Sequence, residues 1–203
     1  MATTVERRQR SDGARSRQKI LRAAANLATI EGLEGISIGS LAAHIGMSKS
    51  GLYAHFGSKE QLQLATIDAA LEIFNDDVIE PAKAQPDALL RLRTLYARFL
   101  DHVERRVFPG GCFFASAESE LGMQEGPVKE RVAEIQRAWT GNVEELVRAA
   151  QEEGSLARDD DPAQVAFELD AYGMMGNVGF VLHDDAAYLR HARAAIERRL
   201  SGH

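Results

Sequence analysis

Three serines set the frame of residues 37–62. In "SIGSLAAHIGMSKSGLYAHFGSKEQL", Ser37, Ser48 and Ser58 each stand just before an apolar run with helical spacing. A serine in that position can accept the hydrogen bond that the first turn of a helix leaves unmade. Gly46 follows the first run, where a helix end calls for a left-handed residue, and Gly57 precedes the third serine. The spacing predicts two short helices, 37–44 and 48–54, separated by a glycine turn. Ser58-Lys59-Glu60-Gln61 fits a capping box that opens a longer helix to about Ile79.

The rest of the chain carries the same helical period. Ile20, Ala24, Leu27 and Ala28 mark a first helix over 15–31, stopped by Gly32. Residues 81–86, bounded by two prolines, read as a linker. Further helices are expected over 87–106, from Pro127 to near Gly154, over 162–182 and over 185–200. A short helix follows "FPGG" in "CFFASAESELG", and Pro127 and Pro162 suit first helical positions. The expected fold class is therefore all-α, with about nine helices. A three-helix head, residues 1–62, precedes a larger helical body, residues 63–203.

Charge separates the same two parts. Residues 1–62 hold nine Lys/Arg against five Asp/Glu, while residues 63–203 hold fifteen against twenty-five. A basic head on an acidic body predicts that only the head meets a polyanion. No apolar leader segment opens the chain, no run reaches the roughly 20 apolar residues of a spanning helix, and Cys112 is the one cysteine. These features predict a cytoplasmic protein with no membrane partner.

Two short helices around a glycine turn are the pattern of a helix-turn-helix, whose second helix enters the major groove of DNA. The small polar set Ser48, Lys49, Ser50 and Gly51 allows close approach to base edges and phosphates. Leu52 and Phe56, four apart, should anchor the inner face, leaving Lys49, Tyr53 and His55 outward. Lys59 lies in the first turn of the next helix, where free amides and the helix dipole favour a phosphate. Arg7, Arg8, Arg10, Arg15 and Arg17 can follow the DNA backbone as an arm. Each of these residues also has a plain structural reading, as a cap or a solvated surface group.

The stretch "SIGSLAAHIGMSKSGLYAHFGSKEQLQLA" resembles the DNA-binding signature of the tetracycline-repressor (TetR) family of bacterial regulators. The matching positions are Ile38, Leu41-Ala42, Gly46, Ser48, Leu52-Tyr53, His55-Phe56, Ser58-Lys59-Glu60 and Leu62. The resemblance implies a homodimer on a near-palindromic double-stranded DNA operator, with no cofactor. It places Lys49, Ser50 and Gly51 by bases or nearby phosphates. Tyr53, His55 and Lys59 fall on the phosphate-contacting edge, and Ser37 and Ser48 at helix starts near the backbone. Gly39 stands where some members carry a base-contacting side chain, which implies less specificity from that helix. The resemblance also implies dimerisation through a bundle of the last two helices, 162–182 and 185–200, of each subunit.

In the body, aromatic and sulfur side chains suggest a cavity for a small apolar or aromatic effector. The candidate ligand residues are Phe99, Cys112, Phe113, Trp139, Tyr172 and Met175, each of which also suits an ordinary core. Gly173, Gly176 and Gly179 recur every third residue, and their face reads as a dimer contact, or alternatively a pocket wall. Cys112 is read as a small buried hydrophobe rather than a redox sensor. His183-Asp184-Asp185 reads as a helix end and the next helix start rather than a metal site. No catalytic constellation is expected: neither His55 nor a pairing of Cys112 with His102 or His183 has the required companions. An enzyme with a helical substrate-binding body is the alternative to a ligand-responsive regulator, most simply a repressor.

Overall fold

The computed structural model describes the backbone of residues 4–201 and, from Ser16 on, the side chains. Nine helices and no strand are present among the described residues. They are α1 (Thr4–Glu31), α2 (Ile38–Ile45), α3 (Lys49–Phe56) and α4, a continuous rod built from Lys59–Phe74, a π turn Asn75–Ile79 and Glu80–Lys83. Then come α5 (Ala88–Glu104), α6 (Phe113–Leu121), α7 (Pro127–Glu152), α8 (Pro162–His183) and α9 (Ala187–Leu200). The first helix starts eleven residues before the expected 15. Arg7, Arg8, Arg10 and Arg15 lie outside the described side chains.

The serine frame forms as local chemistry dictates. Ser37 accepts from the Ser40 amide at 3.0 Å, and Ser40 Oγ accepts from the Ser37 amide at 2.9 Å, closing a reciprocal cap. Ser48 accepts from the Gly51 amide and Ser58 from the Gln61 amide, both at 3.1 Å. The expected box at Ser58 is only half made. The Ser58 amide donates to Phe56 O at 2.9 Å, so Gln61 has no N-cap donor to receive. Gly46 adopts φ 68° and ψ 28°, the left-handed turn that aims α3 away from α2.

Of the expected linker over 81–86, residues 84–86 are turn and bend as expected, while 81–83 are instead helix. A proline there cannot donate to the carbonyl of Asp77 four residues back. The Arg98 guanidinium takes that acceptor at 2.9 Å, so the part-buried carbonyl is satisfied and the helix continues to Lys83.

The body closes around α8 and α9, which pack against each other and against α5. Here the glycine face is spent inside the chain. A Cβ on Gly179 would lie 2.0 Å from Tyr188 and one on Gly176 would lie 2.7 Å from Ala192, so both glycines let α9 approach α8. Gly173 sits under Phe99. The dimer-contact reading of that face is thereby corrected: helix-to-helix approach within the chain takes up Gly176 and Gly179, and Gly173 lines a cavity, the alternative expected. One hydrophobic cluster runs from Ile20 to Leu200 and joins head to body.

Candidate functional site

The head presents α3 as a ridge. Leu52 and Phe56 are buried and root it on the helices behind. Full burial of a side chain such as Leu52 is worth about 1.5–3 kcal/mol. Around them Ser48, Lys49, Ser50, Tyr53 and His55 are all exposed, with Gly51 half-buried. Tyr53 is a large aromatic left 59% exposed. Ser37 is half-buried at the start of α2. Arg17 lies over the Phe56 ring at 5.2 Å, which places one basic side chain of α1 beside α3. Gly39 has a local function as well: a Cβ there would lie 2.8 Å from Lys49 Cε, so the missing side chain makes room for Lys49.

Lys59 is exposed at the start of α4, but it is not free. Its Nζ donates to Glu34 O at 2.7 Å and to Glu34 Oε2 at 3.0 Å. The Lys59 ammonium holds the Glu34 carboxyl below its ordinary value. Any anion approaching Lys59 would compete with Glu34, a residue that the sequence pattern gave no reason to single out.

A second carboxylate ties this corner to the body. Glu120, on α6, accepts from the Leu33 amide at 2.7 Å and the Glu34 amide at 2.8 Å. One turn of the same helix also carries Phe114, Ala115 and Glu118 into a cavity of about 390 Å³. The α6 helix thus touches the cavity on one side and the Glu34–Lys59 corner on the other. Next to it, Gly110 crosses α1 so closely that a Cβ would lie 1.9 Å from Thr29 O.

The cavity lies between α4, α5, α6, α7 and α8. Phe74, Phe99, Phe114, Ile135, Trp139 and Met174 supply most of its apolar wall. Of the expected ligand residues, Phe99, Cys112 and Trp139 line it. Phe113, Tyr172 and Met175 do not: Phe113 is in the core against Phe108, Tyr172 is half-buried, and Met175 faces solvent. Burial pushes the Cys112 thiol up to about 11, which disfavours the thiolate that a sensor needs.

Two cavity carboxylates were invisible in the sequence. Asp170 Oδ1 accepts from Tyr96 Oη at 2.5 Å and from Trp139 Nε1 at 2.8 Å. Burial nevertheless raises the Asp170 carboxyl. Glu118 makes no hydrogen bond or ion pair among the described residues, and burial, with the Asp170 charge beside it, pushes its carboxyl up to about 7. Behind the cavity, His102 is fully buried and its Nδ1 lies 2.7 Å from Asp77 Oδ2. Burial lowers the His102 pKa. Asp77 sits in the π turn and also receives Arg98 and Arg105.

On the outside of α8, Phe167, Met175, Val178 and Leu182 form an exposed apolar stripe. His183 ends α8 with its ring stacked on Tyr188, and Asp185 accepts from the Ala187 amide at 2.8 Å. No group of three or more His, Cys, Asp or Glu suited to a metal occurs among the described residues. No helix among them is long and apolar enough to cross a membrane.

A helix-turn-helix head carried on a helical body with an internal apolar cavity defines a DNA-binding transcriptional regulator. Residues 20–66 match the model for bacterial regulatory proteins of the tetR family, and residues 88–196 match the tetracyclin repressor-like C-terminal domain. The chain belongs to the TetR family, whose members are transcriptional regulators rather than enzymes. It is 25% identical over 158 residues to the transcriptional regulator AcuR of Cereibacter sphaeroides, covering 76% of this chain and 71% of that one. It is 28% identical over 138 residues to the HTH-type transcriptional regulator LmrA of Bacillus subtilis, covering 66% and 71%. Among solved structures, a TetR transcriptional regulator from Chloroflexus aurantiacus shares the fold with a TM-score of 0.85 at 24% identity, over 94% of this chain and 96% of that one. AibR, solved in complex with isovaleryl coenzyme A and operator DNA, aligns with a TM-score of 0.76 at 23% identity, over 92% and 100%.

Proposed function

We propose that the chain acts as a homodimeric repressor that leaves a near-palindromic operator when a small molecule enters the body cavity. Residues 1–62 are the DNA-binding unit in this reading, and residues 63–203 bind the effector and the second subunit. Lys49, Ser50 and Gly51 approach bases or adjacent phosphates, while Tyr53, His55 and Lys59 meet the backbone, with Ser37 and Ser48 at the helix starts beside it. The exposed polar face of α3, rooted by buried Leu52 and Phe56, is the observation that carries this assignment.

Dimerisation uses the outer face of α8 with α9. The exposed stripe of Phe167, Met175, Val178 and Leu182 supports it, since apolar side chains aligned on one helix face gain from a self-complementary contact. Two-fold symmetry then sets two α3 helices into successive major grooves. Release requires a ligand that favours one head spacing over another. Glu120 supports a route for that preference, because its helix touches both the cavity and the head. AibR, which shares the fold and was solved with a small molecule and operator DNA together, lends further support.

Selection of duplexes from a random pool by the full chain tests the reading. A near-palindromic consensus is expected, with affinity that falls steeply with salt. Failure to retain any duplex at low ionic strength refutes it.

A further inference from the structure

The apolar wall sets the size of an effector, and the charged groups set its chemistry. Glu118 and Asp170 reach the cavity from two different helices, α6 and α8. Two cationic side chains also line it, and both already have carboxylate partners, Lys83 only in an exposed pair. Arg131 pairs with Asp68 at 2.9 Å and Glu134 at 2.7 Å, and Lys83 pairs with Glu80 at 2.8 Å. An anionic ligand would bring a third negative charge to two carboxylates, and among the described lining residues it would meet only cations that already pair with carboxylates. An organic cation would offset one of these two negative charges and be attracted by both. The rings of Phe74, Phe99 and Trp139 add attraction of their own, because the negative face of an aromatic ring favours a cation.

We propose that the effector is an organic cation, an amine or quaternary ammonium on an apolar or aromatic body, with its positive group held between Glu118 and Asp170. The proposal rests on the reading of this cavity as the effector site. It separates this chain from a regulator whose cavity takes an acyl thioester of coenzyme A, whose phosphates need free cations.

A proton linkage follows. The Glu118 carboxyl stands at about 7, and a bound cation favours its ionised form. Binding therefore releases protons below neutrality, and affinity rises with pH through about 7 before levelling. The other titratable or charged groups lining the cavity are Asp170, Tyr96, Cys112, Lys83, Arg131 and Glu134. Burial raises the Tyr96 hydroxyl well above its ordinary value and takes Cys112 to about 11, so neither titrates near neutrality. Burial also raises Asp170, whose charge is part of what lifts Glu118.

Trp139 is the one tryptophan of the chain and lines the cavity, so its fluorescence reads occupancy directly. The probes are naphthylmethyl-trimethylammonium, which cannot titrate, and its anionic counterpart naphthylacetate. The full chain should show saturable quenching by the cation, binding at least about tenfold tighter than the anion. Affinity for the cation should rise through neutral pH. Glu118→Gln should weaken the cation about tenfold at alkaline pH and flatten the pH profile. Equal or tighter binding of the anion, a pH-independent affinity of the wild type, or no quenching by the cation overturns the proposal. Duplex binding by the same preparations separates the two readings. Duplex retention without cation binding defeats the ligand class alone, and cation binding without duplex retention defeats the regulator reading.

Discussion

Head and body solve the placement of chemistry in opposite ways. In the proposed reading the head holds its DNA-contacting groups on and beside one exposed ridge of eight residues, α3, with serine caps three residues from the amides they satisfy. The body assembles its cavity from five helices, and the residues that matter there meet across long stretches of chain: Tyr96 reaches Asp170, 74 positions away. The difference teaches where each part is vulnerable. Damage to the head should be local and act on DNA. Damage to the body should act on ligand and on the link between the two.

Leu52→Ala should give the largest effect. Removing a fully buried anchor costs about 2–5 kcal/mol, and duplex binding should be lost while cation quenching at Trp139 persists. Loss of both would show that head and body do not fail separately; denaturation and fluorescence on one sample decide it.

Glu120→Ala comes next. It frees two backbone amides held at 2.7 and 2.8 Å, at about 1–3 kcal/mol. Duplex and cation should each still bind, but the cation should release the duplex far less. Release unchanged from wild type would remove Glu120 from the route.

Lys59→Ala should weaken all duplexes alike and flatten the salt slope by about one. Glu34→Gln should do the reverse and strengthen duplex binding, by no more than about fivefold, since exposed pairs are weak. Affinities across a salt series measure both, and a loss of affinity in Glu34→Gln would mean that Glu34 positions Lys59 rather than competes for it.

Glu118→Gln should have the smallest effect on the free protein. Burial raises the Glu118 carboxyl from 4.5 to about 7 in the fold. Its contribution to stability is therefore complete below 4.5 and is lost as pH rises through about 7. The variant should melt a few degrees above wild type in alkaline buffer and show no such gain in acid. His102 acts in the other direction. Its pKa is lowered, so its contribution is present above the ordinary histidine value of 6.5 and is lost as pH falls below it.

The caps at Ser37, Ser48 and Ser58 were legible because a helix start is a local event. So were the inner residues of α3, which follow from helical period alone. The cavity was only half legible, for a geometric reason. Successive helix residues point about 100° apart, so naming the right segment still permits a neighbour to be chosen. Phe114 lines the cavity where Phe113 was expected, and Met174 where Met175 was expected. Glu118 and Asp170 carry no such local signal, because a carboxylate on a helix ordinarily marks a solvated face; only the crossing of helices turns them inward. Pro81 misled in the same way, since the guanidinium that rescues its turn belongs to Arg98, on another helix.

The most direct measurement follows both halves at once: anisotropy of a labelled, pool-selected duplex together with Trp139 fluorescence, as naphthylmethyl-trimethylammonium is added to the full chain. The account predicts that duplex release and tryptophan quenching share one midpoint. Quenching that saturates while the duplex stays bound would contradict it.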